Sequence, residues 1–233
     1  MTYSWEKEHR VGTVMGISEG RILYDPHPTN MPLASWCAGQ FPEGFKGWAA
    51  DIGASDGLSI SSTWFLEKAL GWTVLCVEPN PHFKPMLLKH RALSESCACG
   101  AEPGNGKLHV NLNNFEAFSS IAPSWNHKRV REEAGKEWDS LPVRVRTLDS
   151  LLDQYEFPQL DALFIDTEGT EPDVLKGFDL ARWKPTVIVG ESWDEGALDQ
   201  HLPGYKRIWR SADNDCYVRE TDEDRDDAGG VRP

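Results

Sequence analysis

The sequence predicts an α/β protein with a mostly parallel sheet and helices on both of its faces. Three observations carry that prediction. Short apolar runs suited to buried strands alternate with amphipathic runs suited to helices. One strand-like run, at 48–57 (WAADIGASDG), turns through glycines directly into an amphipathic segment. Two alternating runs near the end, 205–210 and 216–220, read as a closing antiparallel hairpin. With 233 residues the chain is long enough for one such domain with a full core.

Residues 1–46 precede the first core strand. Within them, 10–15 and 21–24 read as a hairpin around Ile17, Ser18, Glu19 and Gly20, and 25–32 (DPHPTNMP) as a loop. Such an extension can be a lid, a subunit contact or a flap. As a lid it would offer Trp36 and Phe41 as ligand walls; as packing it would bury them.

The first core strand ends in the turn of Gly53, Ser55 and Gly57. Glycines there let the backbone approach a ligand, and a helix start presents free N–H groups. The helix is expected over 58–70, with apolar residues at 60, 64, 65, 66, 69 and 70 and Gly71 to end it. Residues 73–77 (TVLCV) form the second strand, and Glu78 follows. Glu78 lies 21 residues after Gly57, close to the roughly 20-residue spacing at which an acidic residue meets a ribose. Asp51, just inside the first turn, would repel a pyrophosphate and suits a cationic ligand. S-adenosyl-L-methionine is such a ligand: it carries an ammonium and a sulfonium and no phosphate.

Asn80 and Pro81 can open the next helix, and Pro85 marks either a later start or a bend. Residues 94–100 read as a third strand with Ala98 and Cys99 at its end, and 107–111 as a further strand. Residues 113–140 read as an insertion where a substrate pocket would be built. Ser119, Ser120 and Trp125 are its candidate substrate contacts, an ordinary loop and helix being the alternative. A strand at 143–148 and a short helix at 149–155 follow. The buried strand 160–165 delivers Asp166, Glu168 and Gly169 to its C-terminal end. Thr170 reads as the cap of the next helix, Asp173 as its box partner and Gly177 as its stop. The strand at 186–189 ends at Gly190 and Glu191.

Net charge is −13, which disfavours nucleic acid and anionic membrane as partners, since phosphate binding needs clustered Lys and Arg. The basic run 128–131 is followed at once by Glu132 and Glu133 and reads as a solvated helix face. No 18-residue apolar stretch exists, and the first ten residues have no apolar core of a signal peptide. The five cysteines are odd in number and scattered, which argues for free thiols and a cytoplasmic protein.

The segments DIGASDG, VEPNP and FIDTEGTEPDVLKG, with the strand ending in Glu191, resemble the FkbM family of S-adenosylmethionine-dependent methyltransferases. The resemblance spans about 48–191. It implies the Rossmann-like class I methyltransferase fold, with seven strands in the order 3-2-1-4-5-7-6. The domain is expected over 47–220, after the 1–46 extension, and the acidic, apolar-poor end of the chain reads as a disordered tail at 221–233. The resemblance implies a cofactor site made by Asp51, Gly53, Ser55, Gly57, Glu78, Pro79, Ala98, Cys99 and Asp166, the pair 98–99 by position alone. Ser55 stands where the common class I turn has glycine, and FkbM-type proteins often carry a small polar residue there. Thr170 stands where a histidine is frequent in the family, so any role of that histidine does not carry over.

The implied activity is methylation of a hydroxyl on a small molecule, a sugar or other natural product. N- or carboxylate methylation, the acceptor and the oligomeric state stay open. A nicotinamide-dependent oxidoreductase is the competing class. The turn lacks the second glycine of G-x-G-x-x-G, and the only Tyr-x-x-x-Lys spacing, Tyr3 to Lys7, lies far ahead of the core. A non-catalytic cofactor-binding scaffold is the third reading.

Ligands of open parallel sheets bind beyond the C-terminal strand ends, where Asp51, Glu78, Asp166 and Glu191 converge. Asp166, Glu168 and Glu191 are the candidate catalytic residues. Either a divalent metal such as Mg²⁺ compensates their charge, or one carboxylate has a raised pKa and acts as general base. The metal-free form is favoured, because FIDTEG offers no second ligand pair at a recognised metal spacing. Asp166 is expected nearest the methyl group, with Glu191 positioning or deprotonating the hydroxyl. Glu168 turned toward the following helix N-terminus, or His127 as base, are the alternatives.

Overall fold

The computed structural model describes residues 13–18, 21–25, 30–58, 61–111, 119–121 and 138–221. The extension contains a hairpin of β1 (Thr13–Ser18) and β2 (Arg21–Asp25), with Thr13 opposite Asp25. It continues into α1 (Asn30–Ala38). That helix corrects the loop reading of 25–32. Pro32 falls in its first turn, where backbone N–H groups have no partner inside the helix and a missing one is tolerated. Leu33, Ala34 and Cys37 are buried, and α1 joins the core through them. Trp36 lies against Trp209, and Phe41 stacks on Phe45 and meets Trp72 edge-on. The two aromatic residues are therefore core packing and not ligand walls.

The central strand is β3 (Trp48–Ile52), and the short helix α2 (Trp64–Lys68) follows it. Then come β4 (Thr73–Val77), α3 (Lys84–His90), β5 (Leu93–Glu95) and β6 (Ala98–Cys99). After them run β7 (Gly104–Asn111), β8 (Trp138–Arg146), α4 (Leu148–Gln154) and β9 (Ala162–Ile165). The chain closes with α5 (Glu171–Lys176), α6 (Leu180–Trp183), β10 (Val187–Glu191), β11 (Tyr205–Ser211) and β12 (Asn214–Arg219).

Seven strands form the main sheet in the order β5-β4-β3-β9-β10-β12-β11. Numbered within that sheet, this is the 3-2-1-4-5-7-6 order. All neighbours from β5 to β10 are parallel, and β12 and β11 add an antiparallel edge. The alternation of strand side chains feeds two cores. Ala50, Ile52, Leu75, Val77, Leu163, Ile165 and Ile188 point to one face, where α4 and α5 cover them. Ala49, Val74, Cys76, Ala162, Phe164, Val187 and Val189 point to the other, under α1 and α2. The five cysteines are all buried free thiols. Among the described residues no helix is long and apolar enough to cross a membrane.

Two expected elements differ. The run read as one strand over 94–100 is two. β5 pairs with β4, whereas Ala98 and Cys99 pair with Val145 and Arg146 in a second sheet, β6-β8-β7. The helix read over 58–70 is reduced to Trp64–Lys68, because Ser61 and Thr63 are drawn into a polar network around Asp51. Pro85 is settled by a late start, since it falls in the first turn of α3. Trp125, His127 and most of 113–140, together with 222–233, lie outside the described residues.

Candidate functional site

The turn after β3 is closed by its neighbours. Gly53 and Ala54 both donate to the Val77 carbonyl, and Asp166 N–H donates to the Ile52 carbonyl. Gly53 has φ 92°, and a Cβ there would lie 1.7 Å from the Asp166 carbonyl oxygen. Glycine is required because two strand ends are spliced at this point. At Gly57, with φ 72°, a Cβ would meet Leu87 and Arg91, and the residue lines neither cavity of the site. Ser55 takes a left-handed φ of 50°, and its N–H donates to Glu78 Oε2 at 2.8 Å.

Glu78 is buried, and its other oxygen accepts from Asn80 N–H at 2.7 Å. Burial raises its pKa from 4.5 to about 7, against the pull of those two backbone donors. The carboxylate sits on a cavity of about 620 Å³, counting its open mouth. Ile52, Val77, Cys97, Ala98, Cys99 and Leu108 form the apolar wall, with Pro79 beside Glu78. Ser55, Ser119, Ser120, Asp166, Thr167 and Glu168 are among its polar groups. No Lys, Arg or His lines it among the described residues. Ser120 is held by two backbone bonds to His109, at 2.8 and 3.1 Å, and so joins the insertion to β7.

A second, narrow cavity, about 300 Å³ with the open solvent at its mouth counted, shares Gly53 and Asp166 with the first and adds Asp51, Ser61, Ser62 and Asn214. Asp51 is buried and accepts from Thr63 Oγ1 at 2.5 Å and Ser61 Oγ at 3.5 Å, both through Oδ2. Burial raises its pKa, and the Arg91 charge opposes the rise.

The ends of β9 and β10 supply a carboxylate cluster. One oxygen from each of Asp166, Glu168 and Glu191 lies within 4.8 Å of the others. Glu168 reaches the cluster from a left-handed φ of 57°. The turn that holds it is fixed by Glu171 Oε1, which accepts from Thr167 N–H, Thr167 Oγ1 and Gly169 N–H at 2.8–3.1 Å. Glu171 thus takes the helix-terminal role considered for Glu168. The Thr170 side chain does not cap α5; it donates to the Thr167 carbonyl, which corrects the box expected with Asp173.

Although Asp166 is exposed at the surface, desolvation by the groups crowded around its carboxyl and then the Glu171 charge lift its pKa to about 7, while a hydrogen bond from Glu191 works the other way. Asp166 keeps solvent access at the cavity mouth, and Glu191 is the more enclosed of the two. Burial and the charges of Asp166 and Glu168 raise Glu191 well above the carboxylate range. Glu191 Oε2 is buried with no hydrogen-bond partner. Burial and the Asp166 charge also raise Glu168. Glu191 lines neither cavity itself and communicates with both through Asp166.

Of the residues singled out in the sequence, Gly53, Ser55, Glu78, Pro79, Ala98, Cys99, Ser120, Asp166 and Glu168 line the main cavity. Asp51 lines the second. Glu171 and Arg91 went unnoticed, because a Glu opening a helix and an Arg closing one read as ordinary dipole partners.

Residues 51–209 match the family model described as the methyltransferase FkbM domain. The chain is 26% identical over 176 residues to methyltransferase sdnD of Sordaria araneosa, covering 64% of this chain and 67% of that protein. The crystal structure of methyltransferase FkbM from Methylobacillus flagellatus KT superimposes with a TM-score of 0.50 at 17% identity. That superposition covers 78% of this chain and 45% of the other, so the likeness concerns the fold and less than half of the larger protein.

Proposed function

This chain belongs to the FkbM family of methyltransferases, and from that premise we propose that it uses S-adenosylmethionine to methylate a hydroxyl of a small molecule. One observation carries the cofactor assignment: the main cavity is lined by Glu78, Asp166 and Glu168 and by no described cationic side chain. Such a lining suits a sulfonium and repels the pyrophosphate of a nicotinamide dinucleotide.

The residues present fit the cofactor piece by piece. Each Glu78 oxygen holds one backbone N–H, which leaves acceptor capacity on both for the two ribose hydroxyls. The apolar wall from Ile52 to Cys99 suits a purine face, and Asp51 in the second cavity suits the ammonium. When bound, the cofactor supplies an electrophilic methyl group on a positively charged sulfur. Asp166 lines both cavities, and we assign it the place beside that methyl. A positive charge near Asp166 favours ionised carboxylates, so Glu191 holds its proton less tightly in the loaded enzyme. Once that proton has left for solvent, Glu191 takes up the hydroxyl proton of the acceptor through Asp166, the member of the pair that lines both cavities. Ser119 and Ser120 border the same cavity, and Trp125 belongs to the same insertion; these we assign to the acceptor. A reducing compartment such as the cytoplasm suits the five buried thiols.

One observation favours a second reading of the same carboxylates. The partnerless Glu191 Oε2, beside Asp166 and Glu168, is also what a divalent cation would complete. In that reading the three residues hold the ion, which would polarise the hydroxyl in place of a protein base.

Transfer of labelled methyl from S-adenosylmethionine to a panel of sugar and polyketide alcohols, with amine analogues alongside, tests the assignment. Label is expected in methyl ethers. Label only in methylated amines would refute O-methylation.

A further inference from the structure

Arg91 lies outside both cavities, yet it is tied to nearly every group that surrounds Asp51. Its residue is 5% exposed, and it follows the last turn of α3. Nε donates to Glu67 Oε2 at 2.6 Å, Nη1 to Ser61 Oγ at 2.8 Å and the Gly57 carbonyl at 3.3 Å, and Nη2 to Thr63 Oγ1 at 2.7 Å. The guanidinium cannot accept, so both hydroxyls must receive from it. A hydroxyl that receives has one proton left to give. Thr63 gives it to Asp51 Oδ2 at 2.5 Å, and Ser61 more weakly at 3.5 Å. The direct ion pair of Arg91 is with Glu67, which Lys68 also contacts. Asp51 is therefore oriented by Arg91 without being neutralised in direct contact by it. Both hydroxyl bonds fall on Oδ2, which leaves Oδ1 for a ligand.

The same network explains two departures from the sequence expectation. Helix α2 starts late because residues 61–63 serve Arg91 and Asp51 instead of a helical first turn. Gly57 is a glycine because a Cβ would press on Arg91 Cγ at 2.7 Å.

We propose that Arg91 is a positioning residue: through Thr63 and Ser61 it fixes Asp51 so that the second cavity selects the ammonium of the cofactor's amino-acid end. This rests on the S-adenosylmethionine reading. It assigns the selectivity between ligands with and without that end to a residue that touches neither.

Two neutral thioethers separate the effect. S-adenosylhomocysteine carries the amino-acid end, and 5′-methylthioadenosine lacks it. Arg91→Met should weaken S-adenosylhomocysteine roughly tenfold or more, as expected for one charge-assisted hydrogen bond, and change methylthioadenosine less than about twofold. Asp51→Asn should give the same pattern, and the double variant should lose little beyond either single one, because the two act in series. Arg91→Lys keeps the charge but not the fork, and should recover part of the selectivity. If Arg91→Met does not fold, Thr63→Val decides, since it removes the relay and leaves the guanidinium in place. Equal loss of both ligands in the folded variant, or additive losses in the double variant, would overturn the role of Arg91. Wild-type protein that binds neither thioether would instead overturn the cofactor reading.

Discussion

Replacing Glu78 by Gln tests the ribose site, and its effects on stability and binding can be worked separately. Glu78 accepts Ser55 N–H on one oxygen and Asn80 N–H on the other, so a Gln must turn its NH₂ toward one of those donors. That unsatisfied pair costs about 1–3 kcal/mol at any pH. Against it stands relief from a buried charge. The folded-state pKa is raised from 4.5 to about 7, so the native protein favours the protonated acid. Wild-type stability from this group is fully present below 4.5 and is lost as pH rises through 7. At about 1.4 kcal/mol per pKa unit, the loss between roughly pH 5 and pH 8 is about 2–3 kcal/mol. Gln does not titrate. Glu78→Gln should therefore be clearly destabilising near pH 5 and close to neutral near pH 8, as read by urea denaturation at the two values. Cofactor affinity should fall by roughly 10- to 150-fold at neutral pH, the equivalent of about 1.5–3 kcal/mol for bonds to a charged acceptor. Calorimetry on the folded variant reads this. Unchanged affinity would remove Glu78 from the ribose, and a pH-independent stability difference would refute its buried charge.

Gly53→Ala should lower the melting temperature by several degrees, since overpacking costs about 1–3 kcal/mol and the Cβ collides with the Asp166 carbonyl; normal melting would contradict the splice. Asp166→Asn and Glu191→Gln should each reduce methyl transfer, Glu191→Gln by about 10²–10⁴-fold as for loss of a general base. Wild-type activity should survive EDTA; loss with EDTA and rescue by Mg²⁺ would select the metal reading, and full activity in both variants would free the carboxylates of any role. Because Asp166 and Glu78 ionise at about 7, preference for S-adenosylmethionine over its neutral-sulfur product should rise with pH through that range. A flat ratio would show that these carboxylates do not face the sulfonium.

What could be read from the sequence follows the range of the physics behind it. Strand order and the carboxylates at strand ends were legible, because periodicity and glycine turns are local signals and the topology came with the family resemblance. The count from Gly57 to Glu78 placed an acid that does line the cavity. Failures arose where a residue serves a distant partner. Nothing local shows that Ser61 and Thr63 will bind Arg91, some thirty residues on, and so shorten α2. Nor does the run 94–100 reveal that Ala98 leaves the main sheet to pair with Val145. The close neighbours that demand a glycine at 57, Leu87 and Arg91, are equally invisible in sequence. Glu171 was passed over for Asp173 because the turn it anchors depends on the left-handed Glu168, which no propensity suggests.

The most direct test is a pair of calorimetric titrations of the same protein, with S-adenosylmethionine and with NADH. One S-adenosylmethionine per chain and no heat from NADH is the expected result at pH 8, where ionised Glu78 and Asp166 hold a sulfonium and repel a pyrophosphate. Saturable NADH binding, or none by S-adenosylmethionine, would contradict the assignment of this site.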